Sequence, residues 1–391
     1  MSIEALVKRV ARSTVQPLIP PRTYAQVVKL FYRVFGSLQN SDWHVFEQDP
    51  RLDPVLKEMM LAHEKVAPSE QSSEYWRVLN AKNIRQLVED GFGNFKQTVA
   101  LNYFTFLEST PQQEVLKQNL SAETQSWARA QVVDAPVHAL FGAERSRAFN
   151  FMTFLLFRFL KQQVGDELLA GLAEPLVGNP PAVLIDGRPV TQDLANSTLE
   201  FDSVRSGILE RGGQELWDSI ERVLELGAGY GRTGYAFLKL KPGVKYVIAD
   251  IPPALYVSQR YLSEVFPDKK VFRFREFSDF ETVRAEFERA DIAFVMPEQL
   301  RLLPQNAIDL FMAIDCLHEM TPPQIDSYFS TADRLARFFY FTCRKTIAVA
   351  YDGIILEEKD YPVRSHWRRL FQRSRRVQQD YFEAEFELHP V

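Results

Sequence analysis

The feature that most constrains this chain lies at residues 222–234, where a short apolar run ends in Glu225 and three glycines follow at alternate positions. The run predicts a buried strand, and Gly227, Gly229 and Gly231 predict a sharp turn into a helix. Glycines in such a turn leave room for a ligand to lie against the main chain. Because Glu225 would repel phosphates, the turn favours a ligand with hydroxyls or positive charge.

The spacing of the glycines separates two classes of ligand. Dinucleotide-binding turns follow the pattern GxGxxG, which would require glycine where Arg232 stands. The pattern GxGxG after an acid suits S-adenosylmethionine, which carries a sulfonium and an amino group but no phosphate. Asp250, at the end of the next predicted strand, can accept hydrogen bonds from both ribose hydroxyls of this cofactor. An acid at this spacing also serves NAD, so NAD binding and a simple helix cap at Asp250 remain alternatives.

The order of the predicted elements indicates two domains. Residues 20–172 are dominated by helical patterns, and the composition changes at the Gly-Asn-Pro-Pro sequence of residues 178–181. From residue 223 onward predicted strands alternate with helices, which implies right-handed crossovers and a parallel sheet. We therefore expect a helical domain over residues 1–180 and a Rossmann-like α/β domain over residues 181–391.

The stretch from residue 223 to residue 343 resembles the class I S-adenosylmethionine-dependent methyltransferases. The resemblance implies a mostly parallel seven-stranded sheet, with the cofactor lying across the carboxyl ends of the strands. It places the cofactor-binding residues at Glu225, Gly227, Gly229, Gly231, Asp250 and Ile251. It also places Met296 and Gln299, which follow the third strand, at the position that contacts adenine.

A longer set of motifs is similar to a bacterial family of sugar O-methyltransferases. The motifs are residues 94–96, 188–200 and 250–262 and the Glu319-Met320 pair. The resemblance implies that Ser197 and Glu200, three residues apart on one helix face, touch the methionine end of the cofactor. A solvated helix face is the alternative for these two residues.

The segment that follows the strand predicted at 308–314 carries the candidate acceptor chemistry. Asp315, His318 and Glu319 would lie at the carboxyl edge of the sheet, where the methyl group should emerge. Methylation of a sugar hydroxyl requires a base for its proton, and histidine has a suitable pKa range. We therefore predict His318 as the base, oriented by Glu319 or Asp315. A lining role for His318 and a divalent metal at Asp315 and Glu319 are the alternatives.

Two C-terminal segments lie beyond these motifs. Residues 380–388 predict a strand that pairs antiparallel at the sheet edge. Residues 364–376 are rich in arginine and predict an exposed charged helix. Alternatively, these arginines could dock a phosphate of a sugar nucleotide, with His366 and Trp367 against a sugar face.

Composition limits the remaining classes of function. The net charge of −5 argues against a general nucleic-acid binder, so we expect a small-molecule or saccharide acceptor. The two cysteines, Cys316 and Cys343, form no CxxC motif, which fits a reducing cytoplasm and predicts no metal centre. No apolar run reaches the roughly 18 residues of a membrane span. Residues 1–18 predict a basic amphipathic helix, packed on its own domain or in contact with a membrane. The sequence is also compatible with a homo-oligomer.

Overall fold

The computed structural model describes residues 20, 23, 25–30, 42–66, 73–102, 110–138, 141–349 and 353–389. The amphipathic helix predicted over residues 1–18 lies outside these ranges. Within them, no helix is long and apolar enough to cross a bilayer.

The N-terminal part of the described chain is helical, as predicted. Its helices are α1 (Pro54–Glu64), α2 (Glu74–Glu89), α3 (Thr110–Asn119), α4 (Ala122–Val133) and α5 (Gly142–Leu169). Helix α1 begins with Pro54 at its first position, and Asp53 caps it by accepting a hydrogen bond from the main-chain N–H of Val55. Two 3-10 segments, Phe92–Gln97 and Val99–Asn102, follow α2.

The phenylalanines of α5 form core, as their spacing predicts. Phe149, Phe154, Phe157 and Phe159 are all buried. The helix is interrupted at Gly165, where φ is 77°, a region that side chains with a Cβ rarely adopt. A short hairpin of β1 (Val183–Ile185) and β2 (Arg188–Val190) then leads into the second part of the chain.

The second part is a Rossmann-like α/β domain, and the predicted fold class is confirmed. Its sheet contains β3 (Arg222–Leu226), β4 (Lys245–Ala249), β5 (Val271–Phe272), β6 (Ile292–Val295), β7 (Ile308–Ile314), β8 (Ala336–Arg344), β11 (Arg368–Ser374) and β12 (Tyr381–Glu387), in the order β11-β12-β8-β7-β3-β4-β6-β5. The neighbouring strands β8, β7, β3, β4, β6 and β5 pair in parallel. A separate hairpin pairs β9 (Thr346–Ala348) with β10 (Ile355–Glu357).

Three predictions are corrected at the two edges of the sheet. The described sheet has eight strands rather than seven, because the two-residue strand β5 adds to the edge beside β6. Strand β12 is antiparallel to β8, as predicted, but it is not the edge strand, since β11 lies outside it. The segment 364–376, predicted as a helix, instead supplies β11, which pairs antiparallel with β12.

Helices cover both faces of the sheet. They are α6 (Gln192–Asp218), α7 (Arg232–Leu240), α8 (Ala254–Val265), α9 (Arg284–Arg289) and α10 (Pro322–Leu335). Two buried apolar clusters result, one on each side of the sheet. Thr191 caps α6 by accepting a hydrogen bond of 3.1 Å from the main-chain N–H of Leu194.

A buried polar cluster joins the helical part to the glycine turn. Lys96 forms an ion pair with Glu174 and lies 4.3 Å from the centroid of the Tyr261 ring. Tyr230, between the last two glycines of the turn, donates its hydroxyl hydrogen to Asp193 of α6. Lys96 also lies 5.3 Å from the centroid of the Tyr230 ring, so the buried cation contacts the glycine turn directly.

Candidate active site

The glycine turn after β3 has the conformation that its sequence predicts. Gly227, Gly229 and Gly231 all have positive φ, at 69°, 60° and 86°. At Gly227 a Cβ would also lie 2.6 Å from the Cβ of Cys316, so the close approach of two main-chain segments requires glycine there. Gly231 occupies the N-cap position of α7 in the left-handed conformation. The turn thus directs the chain from the end of β3 into α7.

A cleft lies at the carboxyl ends of β3, β4 and β7. Residues 225–230, 249–251 and 314–316 line it together with Arg232 and Glu319. The cleft contains about 1130 Å³ of space, part of it open to solvent. The cleft thus lies at the carboxyl edge of the sheet. This is where ligands bind in open α/β sheets.

Two buried carboxylates of the cleft have raised pKa values. Burial raises the pKa of Asp250 to about 7, against the opposing effect of main-chain N–H groups from Gly229 and Ile251. These N–H groups donate to its two oxygens at 2.8 and 2.7 Å. Burial likewise raises the pKa of Glu225 to about 7, although the Tyr246 hydroxyl donates to it at 2.7 Å. Both acids favour a cationic ligand or one with hydroxyl donors, because such a ligand stabilises their ionised forms.

The chemistry of the cleft fits S-adenosylmethionine. Asp250 lies directly beside the glycine turn and has acceptor capacity on both oxygens for ribose hydroxyls. Glu225 supplies a second acid for the positively charged part of the cofactor. By contrast, Glu225, which directly precedes the glycine turn, would repel the pyrophosphate of NAD.

Ser197 and Glu200 lie behind Arg232 rather than in the wall of the cleft. The Arg232 guanidinium donates to the Ser197 hydroxyl at 2.9 Å and to both Glu200 oxygens at 2.6 and 2.9 Å. The bidentate pair is buried, with Glu200 2% exposed. Arg232 belongs to the described cleft wall and Ser197 and Glu200 do not, so their contact with the cofactor, expected from the resemblance, stays a prediction.

Asp315 belongs to the same ion network. Arg375 donates to Asp315 at 2.8 Å and to Glu200 at 2.5 Å, and the Thr342 hydroxyl donates to the other Asp315 oxygen at 2.5 Å. Burial alone would raise the pKa of Asp315, but the charges of Arg375, His318 and Arg232 and the hydrogen bond from Thr342 together outweigh that effect and lower it. Since both of its oxygens are engaged, Asp315 is poorly arranged to hold a metal with Glu319.

The two candidate catalytic residues are separated by the structure. Both belong to the 3-10 segment Leu317–Glu319. Glu319 lines the cleft, whereas His318 is absent from the described cleft wall. The His318 side chain is buried and its ring meets the ring of Tyr381 edge-on, 5.9 Å between centroids. His318 as the base therefore stays a prediction: its ring packs against Tyr381, and among the described residues Glu319 rather than His318 lines the cleft.

The adenine-contact residues predicted from the resemblance also lie outside the described cleft wall, which Pro297 reaches instead. Gln299 caps the segment after β6: its Oε1 accepts from the main-chain N–H of Met296 at 2.8 Å, and its Nε2 donates to the Arg275 carbonyl at 3.0 Å. Gln299 thus holds the segment that presents Pro297 to the cleft.

Several cleft residues were not predicted from the sequence, and three of them carry large or polar side chains. Trp76 of α2 and Gln324 and Tyr328 of α10 all line the cleft. The two α10 residues could have been found, because α10 begins directly after the Asp315–Glu319 segment and positions four apart share a helix face. Trp76 comes from the helical domain, and no spacing in the sequence relates it to the glycine turn.

The arginine-rich segment is already neutralised by acids. Besides Arg375, Arg373 pairs with Glu383 at 2.7 Å and Arg376 pairs with Asp202 at 2.7 Å. These pairings leave little positive charge for a phosphate, so the docking role considered for this segment has no support in the geometry.

Comparisons with known proteins add the following. No protein-family model and no curated protein sequence matches the chain. Solved structures do match. A SAM-dependent methyltransferase from Leishmania major covers 49% of this chain and 72% of its own, with 13% identity and a TM-score of 0.35. One from Aquifex aeolicus covers 50% and 98%, with 13% identity and a TM-score of 0.28. The PH0226 protein from Pyrococcus horikoshii OT3 covers 48% and 91%, with 14% identity and a TM-score of 0.31. All three TM-scores are below 0.5, so the assignment of a function rests on the cleft itself.

Proposed function

We propose that the protein is an S-adenosylmethionine-dependent O-methyltransferase. The observation that carries the proposal is the pair of buried acids, Glu225 and Asp250, on either side of a glycine turn at the carboxyl edge of the sheet. Asp250 would hold the ribose hydroxyls, and Glu225 would favour the cationic part of the cofactor. The cofactor supplies an activated methyl group; the chain supplies binding, orientation and a proton acceptor.

Glu319 is the residue we propose as the proton acceptor. It lines the cleft two positions beyond Leu317, at the same sheet edge as the cofactor residues. As the acceptor oxygen bonds to the methyl carbon and the carbon–sulfur bond breaks, the hydroxyl proton would pass to the Glu319 carboxylate. Such base catalysis contributes about 10²–10⁴-fold to the rate. Alignment of the acceptor oxygen with the methyl group supplies a further part.

A sugar or a sugar-containing molecule is the acceptor class we propose. The cleft combines two aromatic rings, Trp76 and Tyr328, with the polar side chains of Gln324 and Glu319. Aromatic faces pack well on the apolar face of a sugar ring, while the amide and the carboxylate can hydrogen-bond its hydroxyl groups. The resemblance to sugar O-methyltransferases supports the same class.

Isothermal titration calorimetry tests the cofactor part of the proposal. We expect S-adenosylmethionine to bind and NAD not to bind, and we expect Asp250→Asn to weaken S-adenosylmethionine binding. If NAD binds while S-adenosylmethionine does not, the cleft is a dinucleotide site and the proposal is wrong.

Methyl transfer from radiolabelled cofactor tests the acceptor and the base. We expect label to enter a member of a panel of sugars and sugar nucleotides, and not the phenolic or amine acceptors beside them. Glu319→Gln should lower kcat about 10²–10⁴-fold without changing cofactor affinity. The matched control is Glu298→Gln, an acid-to-amide change in the neighbouring segment after β6 but outside the described cleft wall; its kcat should stay near the wild-type value. If label enters only the phenols, the acceptor is another small metabolite and not a sugar. If the cofactor binds but no acceptor is labelled, the protein is a non-catalytic binding protein.

A further inference from the structure

Asp333, His366 and His389 come together on the surface, and none of them lines the cleft. They are far apart in the chain: Asp333 lies in the last turn of α10, His366 precedes β11, and His389 follows β12. The Nε2 atom of His366 lies 2.9 Å from Asp333 Oδ1, and the Nε2 atom of His389 lies 2.7 Å from the Asp333 carbonyl oxygen. One potential ligand atom from each residue lies within 4.8 Å of the others.

The two imidazoles are arranged face to face. Their ring centroids lie 6.1 Å apart with an interplanar angle of 17°. Each ring directs its Nε2 atom at an oxygen of Asp333, so the two nitrogens converge on one residue. A cation bound there would take both nitrogens and the Asp333 carboxylate in place of these hydrogen bonds.

A third contact orients the carboxylate. The indole N–H of Trp367 donates to Asp333 Oδ1 at 2.7 Å. Trp367 is buried and stacks on Phe329 of α10, with centroids 5.6 Å apart and an interplanar angle of 13°. Carboxylates that bind metals are commonly held by such an outer hydrogen bond, which fixes the direction of the free lone pairs.

We propose that Asp333, His366 and His389 bind one divalent transition-metal ion, with Zn²⁺ as the expected occupant. Imidazole and carboxylate ligands suit zinc, and a water would complete a four-coordinate site. Ligand atoms around tetrahedral zinc lie about 3.4 Å apart, given bonds of about 2.0–2.1 Å. The half-exposed rings of His366 and His389 are free of the core packing that would resist a shift toward that geometry.

The bound ion would act as a staple between three segments. It would join the end of α10 to the connection before β11 and to the chain after β12. Because Gln324 and Tyr328 at the other end of α10 line the cleft, the staple would also limit how far that cleft wall can move. The site does not depend on the proposed methyl transfer, so either proposal can fail alone.

Calorimetric titration of Zn²⁺ into the tag-free, chelator-treated full chain tests the site. We expect one saturable site, and we expect His366→Gln and His389→Gln each to weaken zinc binding by about tenfold or more. The matched control is His44→Gln. His44 is an exposed histidine whose Nε2 lies 2.9 Å from Glu64, and it is not part of the Asp333, His366 and His389 group. Its substitution should therefore leave zinc binding unchanged.

Two further measurements separate a metal site from a loss of folding. Co²⁺ should give visible absorption bands typical of a four-coordinate site in the wild type and not in the His366→Gln/His389→Gln double variant. Trp367→Phe keeps the stacked ring but removes the N–H donor, and it should weaken zinc binding about tenfold while the circular dichroism spectrum stays native. Absence of saturable zinc binding, equal binding by the double variant, or equal loss in His44→Gln would each overturn the proposal.

Discussion

Replacement of Arg375 by methionine tests the buried ion network beneath the cleft. Arg375 is 7% exposed and bridges Asp315, at 2.8 Å, and Glu200, at 2.5 Å. Glu200 would keep its pair with Arg232, but Asp315 would lose the guanidinium that lowers its pKa. Removal of one partner from a buried ion pair costs about 3–5 kcal/mol, because the remaining charge is left desolvated. Because 28% of the Asp315 side chain is exposed to water, we expect the free energy of unfolding of Arg375→Met to fall by up to that amount.

Urea denaturation followed by far-ultraviolet circular dichroism measures this loss. The control is Arg364→Met, since Arg364 forms a partly exposed pair with Asp326 at 2.9 Å; such pairs contribute about 1 kcal/mol or less. Addition of Asp315→Asn to Arg375→Met should restore at least about 1 kcal/mol, because it removes the orphaned charge. If Arg375→Met unfolds at the same urea concentration as Arg364→Met, the network does not stabilise the fold and the reasoning fails.

Two further predictions concern acids with raised pKa values. Burial raises the pKa of Asp250 to about 7, and a ribose would bind the ionised form of this carboxyl. Cofactor affinity measured by calorimetry should therefore rise by about tenfold between pH ~6 and ~8 through this group. Asp250→Asn should lose this part of the pH dependence, and a pH dependence equal to that of the wild type would contradict the assignment. Glu385 of β12 is fully buried, neither of its oxygens has a hydrogen-bond partner among the described residues, and burial raises its pKa well above the usual value. Its folded-state pKa exceeds its unfolded-state pKa, so its stabilising contribution is complete below about pH 4.5 and is lost as the pH rises. Differential scanning calorimetry should therefore show Glu385→Gln gaining on the wild type from pH ~5 to ~8; a constant difference in Tm would exclude this explanation.

The parts of the fold and the site that could be predicted are those encoded in contiguous segments. Strands β4 and β7 lie where the sequence predicts them, because their apolar runs end sharply at Asp250 and Asp315. The glycine turn was equally predictable, since the main-chain conformation at Gly227 depends on local geometry. For the same reason, the carboxyl edge of the sheet could be identified as the place of the cleft.

The parts that could not be predicted depend on side-chain direction and on distant pairs. A 3-10 segment directs neighbouring side chains differently, so sequence alone does not decide whether His318 or Glu319 enters the cleft. The partners of Arg375 are Glu200 and Asp315, and no local pattern relates them. The arginines of β11 suggested an exposed helix because the acids that pair with them lie on β12, a strand identified only by its own pattern.

The contact beneath the glycine turn has a consequence for modularity. Phe95 is fully buried, with its ring 5.4 Å from that of Tyr230 and 5.7 Å from that of Tyr261. The same ring leaves no room for a Cβ at residue 178, where Gly178 stands. The α/β half therefore cannot be combined with an unrelated helical half without loss of this packing. A chimera with a new helical half would have to keep residues 94–96 and the 174–178 connection of this chain, or the turn would lose its aromatic contacts.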